Sequence, residues 1–444
     1  MTPIKCPHLL VLNLQNDFYG VVNTWYPNSL RIINSTQLSI LNEIDGLSTI
    51  SRISGKLNID AELIYQYCKI LEEKDIVRFD DKFLTHTTPT DPTHLNLWIH
   101  TTNKCNLTCS YCYISTLNST GGMSEPVQRQ LLEKLERTVK DRGLQSVKLR
   151  LAGGEPMTQF KAWKPFIEKA YKLFEEIHCD FSVVFLTNLT ILNKEIVEFS
   201  KDFSIGYGVS IDGIHAYHDQ ERKFHNNKGS FAVVDTNIDT LLANGISVST
   251  STVVSNSNLQ GLPSLAKYLI EKNILFRFSI VKGEIIDRSS LSSYLQDAYN
   301  IMENAIDEGW SFSRYHRFCD LKPSELGFQT CGSGFSGASI YVDGGVYYCH
   351  VQFGTKSLQS GTLFDDSQDL VSLINNGKHH EGFRSDDCTN CNYRHVCTSG
   401  CPMYRENGKD PNCSLYHEFI PVIYRLQAKE RLKLILNKKS GKLS

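Results

Sequence analysis

The distribution of cysteine constrains this chain more than any other feature. Fourteen occur in 444 residues. Cys6, Cys68 and Cys179 are scattered, Cys105, Cys109 and Cys112 share one short stretch, and the other eight fall between Cys319 and Cys413. Such a count points either to a disulfide framework or to metal ligation. A disulfide framework needs an oxidising compartment and usually a small domain. This chain is large, and its opening MTPIKCPHLLVLNLQNDF has a short apolar stretch without the small-residue cleavage site of a secretory signal. Metal ligation is therefore the expected use of the thiols, and the cytoplasm the expected compartment. No run of about 18 apolar residues suggests a membrane-spanning helix. Net charge of −2 and a pI near 6.7 exclude a bulk positive field that would recruit nucleic acid or a membrane.

Three segments differ in pattern. Residues 1–84 look like a small α/β module: strand character over 8–22, then helices over 36–44, 49–57 and 60–73, with Asp60 as an N-cap. Leu63, Tyr67, Ile70 and Leu71 give the last helix its apolar stripe. A Thr- and Pro-rich stretch, 85–93, marks a linker. Residues 94–310 alternate strands (95–101, 147–152, 182–187, 205–211, 247–254, 275–281) with helices such as 127–142 and 163–177. Six such units imply a parallel sheet with right-handed crossovers, and an open barrel whose chemistry sits at the C-terminal strand ends. Residues 311–419 lose this alternation and become rich in loops, glycine and cysteine, as when clusters replace a hydrophobic core. The tail, 419–442, has the pattern of a basic amphipathic helix packing on the body.

Cys105-x3-Cys109-x2-Cys112, followed by Tyr113, comes directly after the first barrel strand. Three thiolates on one loop can bind three irons of a [4Fe–4S] cube and leave the fourth open to a chelating ligand. A structural zinc site is the competing reading, but it needs a fourth ligand; His100, on the strand, is the nearest. This spacing resembles the signature of the radical S-adenosylmethionine (SAM) enzymes. Further residues agree with that resemblance. Gly153-Gly154-Glu155-Pro156 resembles the family's GGEP motif, whose glycines let backbone approach the SAM amine. Thr187-Asn188 ends the third strand, Val209-Ser210-Ile211-Asp212-Gly213 resembles a VSLDG segment at the end of the fourth, and Arg222 matches an arginine that pairs with the SAM carboxylate. The implied SAM contacts are Gly153, Gly154, Glu155, Asn188, Ser210, Asp212 and Arg222.

The later cysteines, Cys331-x12-Gly344-x4-Cys349 followed by Cys388-x2-Cys391-x5-Cys397-x3-Cys401 and Cys413, resemble the SPASM domain, which holds two auxiliary [4Fe–4S] clusters. By that resemblance Cys331, Cys349 and Cys401 serve the first, and Cys388, Cys391, Cys397 and Cys413 the second. Cys319 is a candidate for the missing ligand of the first, the alternative being an iron left open for substrate. Residues 1–84 resemble a PqqD-like peptide-recognition element, a winged helix that binds a leader peptide as an added strand. Helix–turn–helix DNA binding competes, but residues 49–57 offer only Arg52 and Lys56, with acids nearby. A purely structural cap is a third reading.

The resemblance thus implies an α/β fold: a partial (β/α)6 TIM-type barrel (94–310) with an N-terminal winged-helix-like module (1–84), a C-terminal cysteine-rich SPASM domain (311–419) and a final helix (420–444). It implies three [4Fe–4S] clusters, SAM, a precursor peptide with a leader, and a reductant such as flavodoxin or ferredoxin. The expected reaction is hydrogen abstraction from the peptide by a 5′-deoxyadenosyl radical, ending in a C–C, C–O or thioether crosslink. No acid, base or hydrogen donor is assigned. Three alternatives stand beside it: a formylglycine-generating enzyme of the anaerobic sulfatase-maturase type, a peptide epimerase using Cys6, Cys68 or Cys179 as hydrogen donor, and a cluster-bearing redox sensor or DNA-binding regulator.

Overall fold

Asn16 and Asp17 both take positive φ, 56° and 57°, a conformation that Asn and Asp tolerate best after glycine. They turn the chain back on itself, so the single strand expected over 8–22 is a hairpin, β1 (Leu9–Asn13) and β2 (Phe18–Asn23), completed by β3 (Arg31–Asn34). Three helices follow, α1 (Ser35–Glu43), α2 (Ile50–Leu57) and α3 (Ala61–Glu72). Asp60 caps α3 as expected, accepting from the Glu62 and Leu63 amides. The buried stripe of α3 is Ile64, Tyr67, Cys68 and Leu71, however, and Leu63 and Ile70 face solvent. Both sets have helical spacing, and the tertiary contacts of a separate core, with Val21, Ile33, Leu41 and Ile53, select the former. The computed structural model describes residues 1–26, 28–83, 89–117, 121–377 and 385–439. The linker expected over 85–93 lies partly outside them.

Six parallel strands form the barrel, in the order of the sequence: β4 (His94–His100), β5 (Ser146–Ala152), β6 (Asp180–Thr187), β7 (Gly206–Ser210), β8 (Val248–Val254) and β9 (Leu275–Ile280). In β4 and β5, Leu95, Leu97, Ile99, Val147, Leu149 and Leu151 are buried under the crossover helices. Asn96, Trp98, Lys148 and Arg150 occupy the alternate, inward positions, as the two-residue period of a strand requires. Six helices follow these strands in turn, α4 (Glu125–Arg142), α5 (Phe160–Glu176), α6 (Lys194–Asp202), α7 (Phe231–Ala243), α8 (Leu262–Glu271) and α9 (Arg288–Glu308). Expected strand limits agree with these to within two residues.

The sheet does not stop at residue 310. β10 (His316–Phe318) adds in parallel to β9, while β11 (Ser339–Ile340) adds in parallel to β4 and continues into β12 (Gly345–Tyr347) and β13 (Gln359–Thr362), giving ten strands. The cysteine-rich segment is thereby hydrogen-bonded to both edges of the barrel sheet.

The last helix, α10 (Cys413–Lys439), begins earlier than the tail pattern suggested. It lies between the barrel and the N-terminal sheet. Arg425 makes two hydrogen bonds to Glu303 at 2.7 and 2.6 Å, Lys429 pairs with Asp307, and Arg431 donates to the Leu30 carbonyl. Gly20 permits the sheet to settle on it, since a Cβ there would stand 2.8 Å from that of Ala428. A second contact holds the same module. Trp25 stacks on His8 at 3.6 Å, lies under the Arg394 guanidinium and donates to the Cys391 carbonyl at 3.2 Å. Trp25→Ala is expected to cost on the order of 2 kcal/mol of docking energy. Hydrogen exchange should then accelerate together in residues 8–25 and 391–395; an unchanged 391–395 segment would show the contact to be idle.

Candidate functional site

At the C-terminal end of β4 the chain turns through Thr101–Lys104 into the Cys105–Cys112 loop. The next strand's loop is pressed against that turn. Gly153 has φ of +139°, and a Cβ on it would lie 2.4 Å from the Thr102 carbonyl oxygen; one on Gly154 would lie 2.1 Å from that of Lys104. The Gly154 and Glu155 amides donate to those same two carbonyls at 2.6 and 2.8 Å. The sequence suggested that these glycines open the backbone to SAM. In the fold their first requirement is this contact between loops.

Glu155 is fully buried, and both carboxylate oxygens are engaged: one accepts from Thr187 Oγ1 at 2.6 Å and the Met157 amide, the other from the Asn188 amide at 2.7 Å. Burial raises its carboxyl to about 7 against these donors. The residue ties the ends of β5 and β6 together. Asn188 then reaches the cysteine loop, with Nδ2 3.8 Å from Cys105 Sγ and 3.0 Å from Asn106 Oδ1. Ser210 ends β7, half-buried, in register with Ser251.

The other side of the loop is held by a short antiparallel pair, Leu107–Cys109 with Arg222–Phe224, which sets Cys109 opposite Arg222. Arg222 is buried. Its Nε pairs with Asp212 Oδ2 at 2.6 Å, Nη2 donates to the Tyr111 hydroxyl, and Nη1 lies 3.7 Å from Cys109 Sγ. Tyr111, between the second and third cysteines, also donates to Asp212. Asp212 itself is wholly buried, accepts from the Val253 amide at 3.0 Å, and has its carbonyl held by Asn258. Arg222 and Asp212, read in the sequence as two SAM contacts, are thus first a buried ion pair that anchors the loop. Tyr111 and Asn258 had no role in the sequence reading; an aromatic between two closely spaced cysteines was the one available signal for Tyr111.

Burial pushes the Cys109 thiol to about 11, with Arg222 opposing the shift and the neighbouring Cys112 and Cys105 adding to it, and burial likewise raises Cys105, with Cys112 close enough to add to the shift. Among the described residues no three His, Cys, Asp or Glu side chains converge on a single-ion position. Thiols spread along one loop fit the corners of a multi-iron cube, each thiol to its own iron. His100 is not a fourth ligand. It is buried, bonded to Asn103 Oδ1 at 2.6 Å and packed on Tyr341 and Phe353.

The remaining cysteines fall into two neighbourhoods. Cys331, Cys349 and Cys401 line one cavity, where burial, with the other two thiols adding to it, drives the Cys349 thiol to about 12. Cys388, Cys391, Cys397 and Cys413 neighbour one another at the start of α10, the Cys397 thiol raised by burial first and then by Asp410, Cys413 and Cys388. Cys319 is buried beside Lys282, Asp320 and Tyr416; Lys282 neighbours both it and Cys401. Cys6 and Cys68 are buried in the N-terminal module, and Cys179 precedes β6 at the opposite end of the barrel from the Cys105 loop. Their positions give no support to an epimerase hydrogen donor among these three.

Residues 99–269 match the Radical SAM superfamily. The chain is 26% identical over 349 residues to the cysteine-type anaerobic sulfatase-maturating enzyme of Clostridium novyi (strain NT), covering 71% of this chain and 91% of that protein. It is 23% identical over 365 residues to the antilisterial bacteriocin subtilosin biosynthesis protein AlbA of Bacillus subtilis (strain 168), covering 76% of each. In fold it resembles Streptococcus suis SuiB bound to precursor peptide SuiA, with a TM-score of 0.53 at 13% identity, over 93% of this chain and 99% of that one. Among the described residues no helix is long and apolar enough to cross a membrane. With its cysteine loop seated at the C-terminal ends of six parallel strands, residues 99–269 form a radical SAM domain, and the chain is an enzyme.

Proposed function

We propose that this enzyme modifies a ribosomally made peptide whose leader docks on residues 1–84, with three [4Fe–4S] clusters and a reductant such as flavodoxin or ferredoxin. The observation that carries the reading is the cysteine loop held over the barrel mouth by Arg222, Asp212 and Asn188. Cys105, Cys109 and Cys112 would hold the SAM-binding cluster. With SAM bound, a cluster there would supply hydrogen-abstracting radical chemistry at a C–H bond. Asn188 and Arg222 fix the loop's two flanks. Gly153, Gly154 and Glu155 brace it from the neighbouring strand, and Ser210 and Asp212 close the rim. Arg222, with its guanidinium beside Cys109, would share itself between Asp212 and a SAM carboxylate. The two thiol neighbourhoods would hold the auxiliary clusters, and Cys319 lies one side chain from the first of them. Crosslink formation is the favoured outcome.

The N-terminal module separates this reading from the sulfatase-maturase type. The sequence match to the Clostridium novyi enzyme covers 71% of the chain, whereas the likeness to SuiB covers 93% and so reaches into the module. SuiB was solved with a precursor peptide, and AlbA is named for subtilosin biosynthesis. DNA binding by the same module is disfavoured, because Lys56 on α2 is already paired with Glu43 at 2.6 Å. Strand addition rests on backbone hydrogen bonds and apolar pockets. Leader affinity of the full-length enzyme should therefore change only mildly between about 50 and 200 mM salt, where several phosphate contacts would lose orders of magnitude. A precursor peptide encoded beside the gene should be modified with its leader and left largely unmodified without it. Equal modification of both forms would remove leader recognition and favour the sulfatase-maturase type.

A further inference from the structure

The barrel is open along one side, between β4 and β9, and the cysteine-rich segment covers the gap. A cavity of about 740 Å³ remains there, with Asn96, Trp98, Arg150 and Arg277 on the barrel side and Cys331, Cys349 and Cys401 on the other. Arg277 is paired with Asp320 at 2.8 Å. Arg150 has no hydrogen-bond or ion-pair partner among the described residues. Its surface opens into the cavity, yet protein surrounds it closely enough that burial, then Arg277, pull its guanidinium below the usual range. Two further polar atoms on the same wall are buried and unpartnered, the Trp98 indole N–H and Asn96 Oδ1. Buried polar groups are ordinarily hydrogen-bonded. Those two atoms are covered by protein, so the group the wall presents to the cavity is the Arg150 guanidinium, which describes a ligand with a carboxylate.

Arg150 stands two residues, about 7 Å, before the end of β5. From there Gly153 and Gly154 continue into contact with the turn that leads to Cys105. A carboxylate on Arg150 would hold the neighbouring chain just below the barrel mouth, between the Cys105 loop and the Cys331 group. Resting on the peptide-maturase reading, we propose that this cavity is a substrate subsite for an acidic side chain of the peptide, with Arg150 receiving the carboxylate through its paired donors. Planar, bidentate recognition of this kind suits arginine.

The competing source of negative charge is the protein itself: Asp320, a charge neighbour of Arg150 that is already paired with Arg277, and a thiolate cluster on Cys331, Cys349 and Cys401, since Cys331 is a neighbour as well. Arginine-directed labelling with phenylglyoxal, mapped by mass spectrometry on the anaerobically reconstituted wild-type enzyme, separates the two. Arg150 should label readily, and faster than the ion-paired Arg277. A capped Gly-Glu-Gly tripeptide amide should protect it at concentrations about tenfold below those needed by its Gly-Gln-Gly counterpart, the ratio expected of one charge-assisted hydrogen bond. Equal protection by the two peptides overturns the proposal. So does an Arg150 that is unreactive in the reconstituted enzyme and becomes reactive when Cys331, Cys349 and Cys401 are replaced together. The labelling requires no turnover, so its outcome is independent of whether the enzyme processes a leader-bearing peptide.

Discussion

Replacing Cys105, Cys109 and Cys112 together by alanine is expected to abolish SAM cleavage and to lower bound iron from about twelve to about eight per chain, one cube fewer. The fold gives this loss a local character. The loop is held by Asn188 on one side and the Arg222–Phe224 strand on the other, whereas the two later thiol groups sit in the segment bonded to the sheet edges. Those groups have no side chain in common with the loop's supports, so their iron should remain. Iron analysis and chromatography of released 5′-deoxyadenosine after anaerobic reduction measure both quantities. Cleavage retained by the triple variant would move the reactive site elsewhere.

Asp212→Ala should be nearly as severe. The side chain is completely buried and compensates Arg222, whose own side chain is 9% exposed. Breaking a buried pair by removing one partner leaves an uncompensated charge and typically costs about 3–5 kcal/mol. Here the Val253 amide and the Tyr111 hydroxyl lose their acceptor as well. Anaerobic urea unfolding should register a destabilisation of that order, and the displaced Tyr111 should carry the cysteine loop out of place and suppress SAM cleavage. Arg222→Ala should weaken SAM binding by about tenfold or more if a SAM carboxylate shares the guanidinium. Because the two residues share one interaction, the double variant should be destabilised by less than the sum of the single ones. A fully additive cycle would mean that the pair is energetically idle, and SAM affinity unchanged in Arg222→Ala would leave Arg222 a structural anchor alone.

The parallel barrel was legible because strand alternation and helix periodicity are local properties of the chain. The cysteine loop was legible because its three thiols lie within eight residues. The grouping of the later cysteines came from the resemblance to the SPASM pattern, and the fold brings the same thiols into two neighbourhoods. What stayed hidden depended on contacts between residues far apart in sequence. Arg222 and Asp212 were identified as site residues, but only the fold pairs them and joins both to Tyr111, 101 residues from Asp212. The glycines of the second loop were noticed for the backbone freedom they allow, but the reason two are needed is the approach of Thr102 and Lys104. The buried face of α3 admitted two registers, and the module's own core selected one. Trp25 carries no sequence signal at all, because its partners at Cys391 and Arg394 come from the opposite end of the chain. The thiols and their spacing could be read along the chain because they are local properties of it. How the thiols are oriented and what surrounds them could not be read there. Burial, charge pairing and the shape of a cavity arise from side chains brought together by folding.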